Sequence, residues 1–495
     1  MDTTTVRLHP AFTVAPVDER IFGGFLEHLG RAVYGGVHDP TSAHADEFGN
    51  RSDVLAALDR LRMTVMRWPG GNFTSGYHWS DGIGPAETRP VVRDPAWRSA
   101  EPNTFGTHEF LDLAERVAWT PMLAVNLGTG TPEEAADWVE YCNAPTGTRW
   151  ADERAANGRA EPWRVPLWCL GNEMDGPWQL GHAPVEEYGR LAQQAAMQMK
   201  LVDRGIETIA CGSSNVDLPS YGTWDRRVLE LLGDDVDHLS VHRYVGDFAG
   251  DLEDYLAVGA SVDRQIREVD GICRAVQAAR KSPRRAHLCF DEWNVWYRNF
   301  EMDGNWQQAP HLLEEVYDLA DALVVAQFLL SFVRHADVVK IANLAQVVNV
   351  IAPLLTRDDD LLVQTIFHPF RMVSDRRSGT SLRVALDGPT VTTRSHGTVP
   401  VIDTAAIADG DTVHVFTVNR STDAAAPVRI EVPGAAFRSC RAELLAAPST
   451  AASNTWDAPD AVQPVEVDTT IGPDGAVVVE LPPHSFLAAS AVLGG

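Results

Sequence analysis

Two acidic segments in this chain carry residue types that could do chemistry. Trp168-Cys169-Leu170-Gly171-Asn172-Glu173-Met174-Asp175-Gly176 is an apolar run that ends abruptly in a carboxylate, flanked by an amide and followed by a glycine turn. Leu288-Cys289-Phe290-Asp291-Glu292-Trp293-Asn294 repeats the pattern further along. A single glutamate at a strand end is usually a helix cap or an ion-pair partner. Two of them, each with aromatic and amide neighbours, are costly to desolvate unless paired, and together they point to acid/base or nucleophilic work in one pocket. Glycoside cleavage needs such a pair: one carboxyl is protonated to assist the leaving oxygen, and the other is ionised to attack the anomeric carbon or to activate water. A separation of about 5–5.5 Å implies attack by the carboxylate itself and retention, whereas a wider gap admits a water and gives inversion.

To meet, Glu173 and Glu292 must end strands that open on the same side of one sheet. Eight short apolar runs recur along the chain: Ile21 to Glu27, Thr64 to Arg67, Pro121 to Asn126, Pro166 to Asn172, Glu207 to Gly212, His238 to His242, His287 to Asp291 and Val338 to Asn343. Longer amphipathic segments follow them, which is the alternation of β/α units. Continuous apolar strands are buried on both faces, and polar side chains close nearly every run at its C-terminal end. Both features favour a (β/α)8 TIM barrel over a doubly wound open sheet. From about Ser378 the texture changes to short alternating runs such as Thr412 to Val418 and Ala476 to Leu481, with Asp387-Gly388, Asp409-Gly410 and Asp474-Gly475 as tight turns. These predict a smaller all-β sandwich. Thr3 to Val14 alternates too and is expected to pair into that sheet. The expected division is a catalytic barrel at 18–378 and a sandwich at 379–495, joined by residues 1–17.

Composition narrows the function. The 495 residues, 45% hydrophobic and 22% charged, describe a folded globular chain. With 41 basic against 68 acidic residues the net charge is −27, a field that repels phosphate backbones and acidic membrane faces, so neither nucleic acid nor a membrane is an expected partner. The start MDTTTVRLHP has no secretory pattern, and a cytoplasmic protein is expected. Six scattered cysteines without a C-x-x-C pair read as free buried thiols. The stretch Leu323 to Val333 is too short to span a bilayer and reads as a buried helix. Gly128-Thr129-Gly130 lacks the third glycine of a dinucleotide loop and instead reads as a helix start, with Thr131 as cap, Pro132 at the first helical position and Glu134 completing a capping box. His238 and His242 read as packing residues or supports rather than metal ligands. No metal and no cofactor is required, and neither a G-x-S-x-G elbow nor a P-loop is present.

Five blocks carry a family resemblance: Gly24-Phe25-Leu26-Glu27-His28, Arg67-Trp68-Pro69-Gly70-Gly71-Asn72, Gly171-Asn172-Glu173-Met174-Asp175-Gly176, Asp291-Glu292-Trp293-Asn294 and Ala345-Gln346-Val347-Val348-Asn349. In this order and spacing they resemble the α-L-arabinofuranosidases of glycoside hydrolase family 51. The likeness is strongest from about Ile21 to Phe370 and thin in the terminal sandwich. It implies a retaining, exo-acting hydrolase of terminal α-L-arabinofuranosyl groups on oligo- and polysaccharides, with Glu173 as acid/base and Glu292 as nucleophile. Ionised Glu292 keeps the proton on Glu173 for the first step; once Glu292 is glycosylated the repulsion vanishes and Glu173 serves as base.

By the same resemblance Glu27, Arg67, Asn72, Asn172, Tyr244 and Gln346 line the sugar subsite. Asn172 would hold the 2-hydroxyl, and Tyr244 either contacts sugar or hydrogen-bonds the nucleophile. Arg67 suits a carboxylate better than a sugar. A homo-oligomer, commonly a hexamer, is also implied. Among fourteen tryptophans, Trp178, Trp296 and Trp306 fall in loops beyond strand ends, where one or more of them walls the sugar pocket or receives the leaving sugar, or else they pack the loops against the barrel. The rival functions are a related retaining barrel glycosidase acting on xylosides or β-glucans, and a sugar-binding protein without turnover.

Overall fold

The computed structural model describes residues 2–494, so the end residues 1 and 495 of the expected sandwich lie outside the described residues. Eight parallel strands close into a barrel: Gly23–Phe25, Val65–Trp68, Thr120–Val125, Leu167–Leu170, Glu207–Cys211, His238–Val245, His287–Val295 and Val339–Ala345. Each pairs with the next, and the eighth returns to the first through Asn343 opposite Gly23. Each of the eight expected runs holds a strand, though in the first it is only Gly23–Phe25, with Ile21 and Phe22 on a short helical turn; the strands are buried, as at every residue of Leu167–Leu170.

The apolar stretch around Leu323 is the helix Leu319–Arg334, buried from Leu319 through Val333. It is apolar all round because it lies between the barrel and the second domain, packing on the strand His287–Val295 on one side and on Ile402–Asp409 and Thr412–Asn419 on the other. Asp318 caps it reciprocally with Asp321, through N–H to carboxylate bonds of 3.1 and 3.0 Å. Ion pairs fasten the same layer: Arg334 reaches Asp263 at 2.9 Å and Asp403 at 2.7 Å, and Arg420 reaches Asp403 at 2.9 Å.

The second domain is a curled ten-stranded sheet. The first strand of the chain, Thr4–Pro16, joins it, antiparallel to Thr380–Asp387 and parallel to Ala426–Glu431. Gly410 and Gly475 turn at φ +58° and +79° as a tight hairpin demands. Gly388 does not take a positive φ; it is glycine because a Cβ there would meet Thr4 Oγ1 at 2.5 Å. A small hairpin, Thr390–Thr393 with Gly397–Pro400, leaves this sheet and carries its turn to the barrel mouth.

Thr131 caps the helix Pro132–Asn143, accepting from the Glu134 N–H at 3.1 Å. The expected box is only half made, since the Glu134 carboxylate turns to His78 Nδ1 at 2.9 Å. Five cysteines are free and buried and Cys440 is half-buried. Among the described residues no helix is long and apolar enough to cross a membrane.

Candidate active site

The fourth and seventh barrel strands deliver Glu173 and Glu292 to one cleft of about 730 Å³ at the C-terminal mouth of the barrel. After Leu170 the chain leaves the strand through Gly171 at φ +88° and Glu173 at φ +44°. That left-handed turn costs a non-glycine residue of order 1 kcal/mol, a strain typical of functional positions. Glu292 stays within its strand, where its register partner on the sixth strand is His242. One oxygen of Glu173, one of Glu292 and a nitrogen of His242 all lie within 4.8 Å of one another.

Each oxygen of Glu292 has a donor. Oε1 accepts from an Arg67 terminal nitrogen at 2.6 Å, and Oε2 accepts from the Tyr244 hydroxyl at 2.9 Å. Arg67 is fully buried, and it also donates to Asn172 Oδ1 at 2.7 Å and lies over the Phe25 ring. Glu173 is held by His242 Nδ1, 2.8 Å from its Oε1, and by Trp178, whose indole N–H donates to its Oε2. His242 Nε2 faces Asp291 at 3.4 Å, and Asp291 accepts from Ser240.

Burial opposes a charged His242, but the charges of Glu292 and Asp291 outweigh it and lift its pKa well above the ordinary imidazole range. Burial would also raise Asp291, yet Arg67 and His242 hold it down at about 2. Glu292 is held above the usual carboxylate range: burial, the largest cause, pushes the carboxyl up and Glu173 and Asp291 add to that, while His242 and Arg67 offset only part of the rise. Burial and the repulsion of Glu292 push Glu27 to about 8, although the Phe73 and Trp97 N–H groups donate to its Oε1 at 2.9 and 3.0 Å.

Glu27, Asn72, Tyr244, Gln346, Trp178 and Trp296 line the cleft. Gln346 bridges the wall by accepting from the Glu27 backbone N–H at 2.9 Å. Arg67 and Asn172 sit just behind that wall, buried. Asn172 points its amide nitrogen at Asn72 Oδ1 (3.4 Å) and Gln179 Oε1 (3.3 Å). Trp306 is not brought to the cleft; it is covered by the guanidinium of Arg93, 4.8 Å from its ring centre, so the loop-packing alternative describes it. Sequence reasoning missed His242, read as a packing or supporting residue, and Trp97, which lies on a short excursion between strands with no periodic signal.

Glu173, His242 and Glu292 are also the types and spacing that could ligate a metal ion. A cation there would compete with the Arg67 guanidinium and with the proton that Glu292 and Asp291 favour on His242, so the set is better suited to sharing protons.

Two carboxylates this close, one strand-bound beneath an arginine and a phenol and the other on a turn against an indole, are a glycosidase arrangement. Comparison with known proteins names the family. Models described as the α-L-arabinofuranosidase 1 domain and the α-L-arabinofuranosidase C-terminal domain match residues 57–248 and 291–485. The chain is 44% identical to an intracellular exo-α-(1→5)-L-arabinofuranosidase of Halalkalibacterium halodurans over 424 residues, 84% of this chain and 85% of the relative. The chain belongs to the family 51 α-L-arabinofuranosidases. It is therefore a glycoside hydrolase. A second relative, an exo-α-(1→6)-L-arabinofuranosidase of Bifidobacterium longum, is 42% identical over 96% of this chain and 95% of its own. Among solved structures, a family 51 α-L-arabinofuranosidase from Bifidobacterium longum superposes with a TM-score of 0.95 at 38% identity, covering 99% of each chain. The barrel and curled sheet are thus the architecture of this family.

Proposed function

We propose that the chain releases terminal non-reducing α-L-arabinofuranosyl groups from arabinose-containing oligo- and polysaccharides by double displacement with retention. The observation that carries this reading is the approach of Glu173 and Glu292 to within 4.8 Å at one mouth, close to the roughly 5–5.5 Å of retaining pairs and short of the roughly 6.5–9.5 Å of inverting ones. Glu173 protonates the glycosidic oxygen as Glu292 attacks the anomeric carbon, the leaving sugar departs with the proton, and the glycosyl ester of Glu292 forms. Water then attacks the same carbon, giving its proton to Glu173 and releasing Glu292. Arg67 and Tyr244 hold the nucleophile, while Glu27, Asn72, Asn172 and Gln346 fix the furanose hydroxyls in a site with little water.

Glu292→Ala is expected to abolish turnover, with azide restoring a glycosyl azide of inverted configuration. Glu173→Ala is expected to spare the first step on good leaving groups and to accumulate the intermediate. Interchanged behaviour reverses the two roles, and release of arabinose with inverted configuration refutes double displacement. Faster cleavage of nitrophenyl xyloside or glucoside than of the arabinofuranoside overturns the substrate. A cytoplasmic location follows the relatives named as intracellular. We place the catalytic barrel at 18–378 and the sheet domain at 379–495 with 1–17. A homo-oligomer, which light scattering on the purified protein would test, completes the reading.

A further inference from the structure

The cleft that holds the two carboxylates is also lined by groups that the two-step chemistry does not use, some of them from the sheet domain. The turn of the small hairpin crosses to the barrel, so that Arg394, Ser395 and His396 line the cleft. It is tied down there. The Ser395 backbone N–H donates to Asp254 Oδ1 at 2.6 Å, and Arg394 lies 3.4 Å from Asp254 and 3.5 Å from Asp251.

On the barrel side, Arg243 lines the same space. One of its terminal nitrogens donates to Ser261 Oγ at 2.8 Å, but its Nε is buried without a partner, and among the described residues no carboxylate pairs with it. Asp217, the acid with the largest influence on Arg243, also lines the cleft. Phe248 contributes to the same cleft a ring that is 73% exposed. A mostly buried guanidinium without a counter-charge is costly unless something arriving in the cleft supplies acceptors. A sugar does this: a hydroxyl accepts from the guanidinium and donates to a carboxylate, while the apolar ring face lies on an aromatic ring. Asp217, Asp247 and Asp251 line the same cleft, which disfavours an acidic sugar and fits a neutral one.

We propose that Arg243, Asp217 and the turn Arg394–His396 form the binding site for the neutral sugar to which the arabinofuranosyl group is attached. The sheet domain then helps to select the leaving sugar, and is not only a support for the barrel. This rests on the hydrolase reading above. It also gives a place where relatives of nearly equal identity, one named for (1→5) and one for (1→6) linkages, can differ.

The test compares two substrates. In 4-nitrophenyl α-L-arabinofuranoside the leaving group has no hydroxyls for Arg243 and Asp217 to hold; in an arabinotriose of whichever linkage the wild type cleaves faster, it does. The readout is the ratio of kcat/KM on the triose to that on the nitrophenyl substrate, measured for Asp217→Ala and Arg394→Ala with melting temperatures as a check on folding. Loss of one charge-assisted contact to the second sugar lowers that ratio about ten-fold. A ratio that stays near the wild-type value in either variant, whether both activities persist or fall together, overturns the proposal. Should Arg394→Ala fail to fold, Arg394→Gln retains a donor toward Asp254 and is read in the same way. A wild-type protein that cleaves neither substrate overturns the activity itself, a different result from an unchanged ratio.

Discussion

His242→Asn removes a positive charge from between the two carboxylates while leaving an amide N–H close to where Nδ1 stood. Nδ1 lies 2.8 Å from Glu173 and 3.5 Å from Glu292, so the imidazolium is the nearest cation to the nucleophile after Arg67. At an effective dielectric constant of about 20, a unit charge at that distance from Glu292 is worth roughly 5 kcal/mol. This is an upper limit on what the imidazolium contributes to the ionised nucleophile. Glu173 and Asp291 share the same charge and Arg67 remains in the variant, so the effect on Glu292 is a fraction of that upper limit. The sign follows from the direction of the interaction. His242 favours the ionised nucleophile, and its loss makes Glu292 harder to ionise, so the acid limb of kcat/KM must move to higher pH. The assay is kcat/KM on 4-nitrophenyl α-L-arabinofuranoside between about pH 4 and 9, with circular dichroism to confirm the fold. An acid limb that stays in place in a folded variant would mean that His242 is neutral in the working enzyme, and the electrostatic account of Glu292 would fail.

Other perturbations test neighbouring parts of the argument. Glu27 is pushed to about 8, so the folded state holds a proton that the unfolded chain releases near its ordinary value, and this stabilising contribution is present at low pH and lost as pH rises toward 8. Glu27→Gln should therefore lose activity yet resist urea better than wild type by roughly 2–4 kcal/mol at pH 9, with no advantage near pH 4; equal curves at pH 9 would contradict the shift. At Gly71 an added Cβ would meet Glu292 Oε1 at 2.7 Å and Asn172 Nδ2 at 3.4 Å. Gly71→Ala is thus expected to lower kcat about a hundred-fold by displacing the nucleophile, with little change in melting temperature; retained kcat would show that the carboxylate tolerates movement. Arg334→Met removes the cation shared by Asp263 and Asp403 between barrel and sheet, leaving Asp263 to His335 and Asp403 to Arg420, and should cost roughly 2–4 kcal/mol in urea unfolding. A loss below about 1 kcal/mol would reduce that junction to an ordinary surface pair.

The barrel was legible in the sequence because burial on both faces leaves a local mark: four apolar residues in a row, as in Leu167–Leu170, closed by a polar group. Glu173 and Glu292 stood out for the same reason, each being the first acid after such a run or the last within it. The recruitment of Thr4–Pro16 into the distal sheet followed from its alternation. His242 was hidden by the opposite circumstance. A histidine inside an apolar strand carries no local sign that distinguishes a packed ring from one between two carboxylates. What distinguishes it is the register of the neighbouring strand, which sets His242 opposite Glu292 and Tyr244 opposite Asn294.

Trp97 and the turn Arg394–His396 were hidden more deeply, since they reach the cleft from outside the barrel, on the connection between Val92–Asp94 and Ser99–Glu101 and on the small hairpin. No spacing within those segments says where they will lie. The physical limit is one of dimension. Periodicity along a strand fixes which face a side chain takes, barrel closure fixes which strand ends share a mouth, and only the packing of the second domain fixes what leans over it. A polar residue near the C-terminal end of the sixth strand must therefore be weighed as a site residue once the seventh strand is known to carry a carboxylate. By contrast, a residue such as Arg394 becomes a candidate only after the sheet has been set against the helix Leu319–Arg334. Specificity for the leaving sugar, if it lies in that hairpin, can then change between relatives without disturbing any strand that holds Glu173 or Glu292.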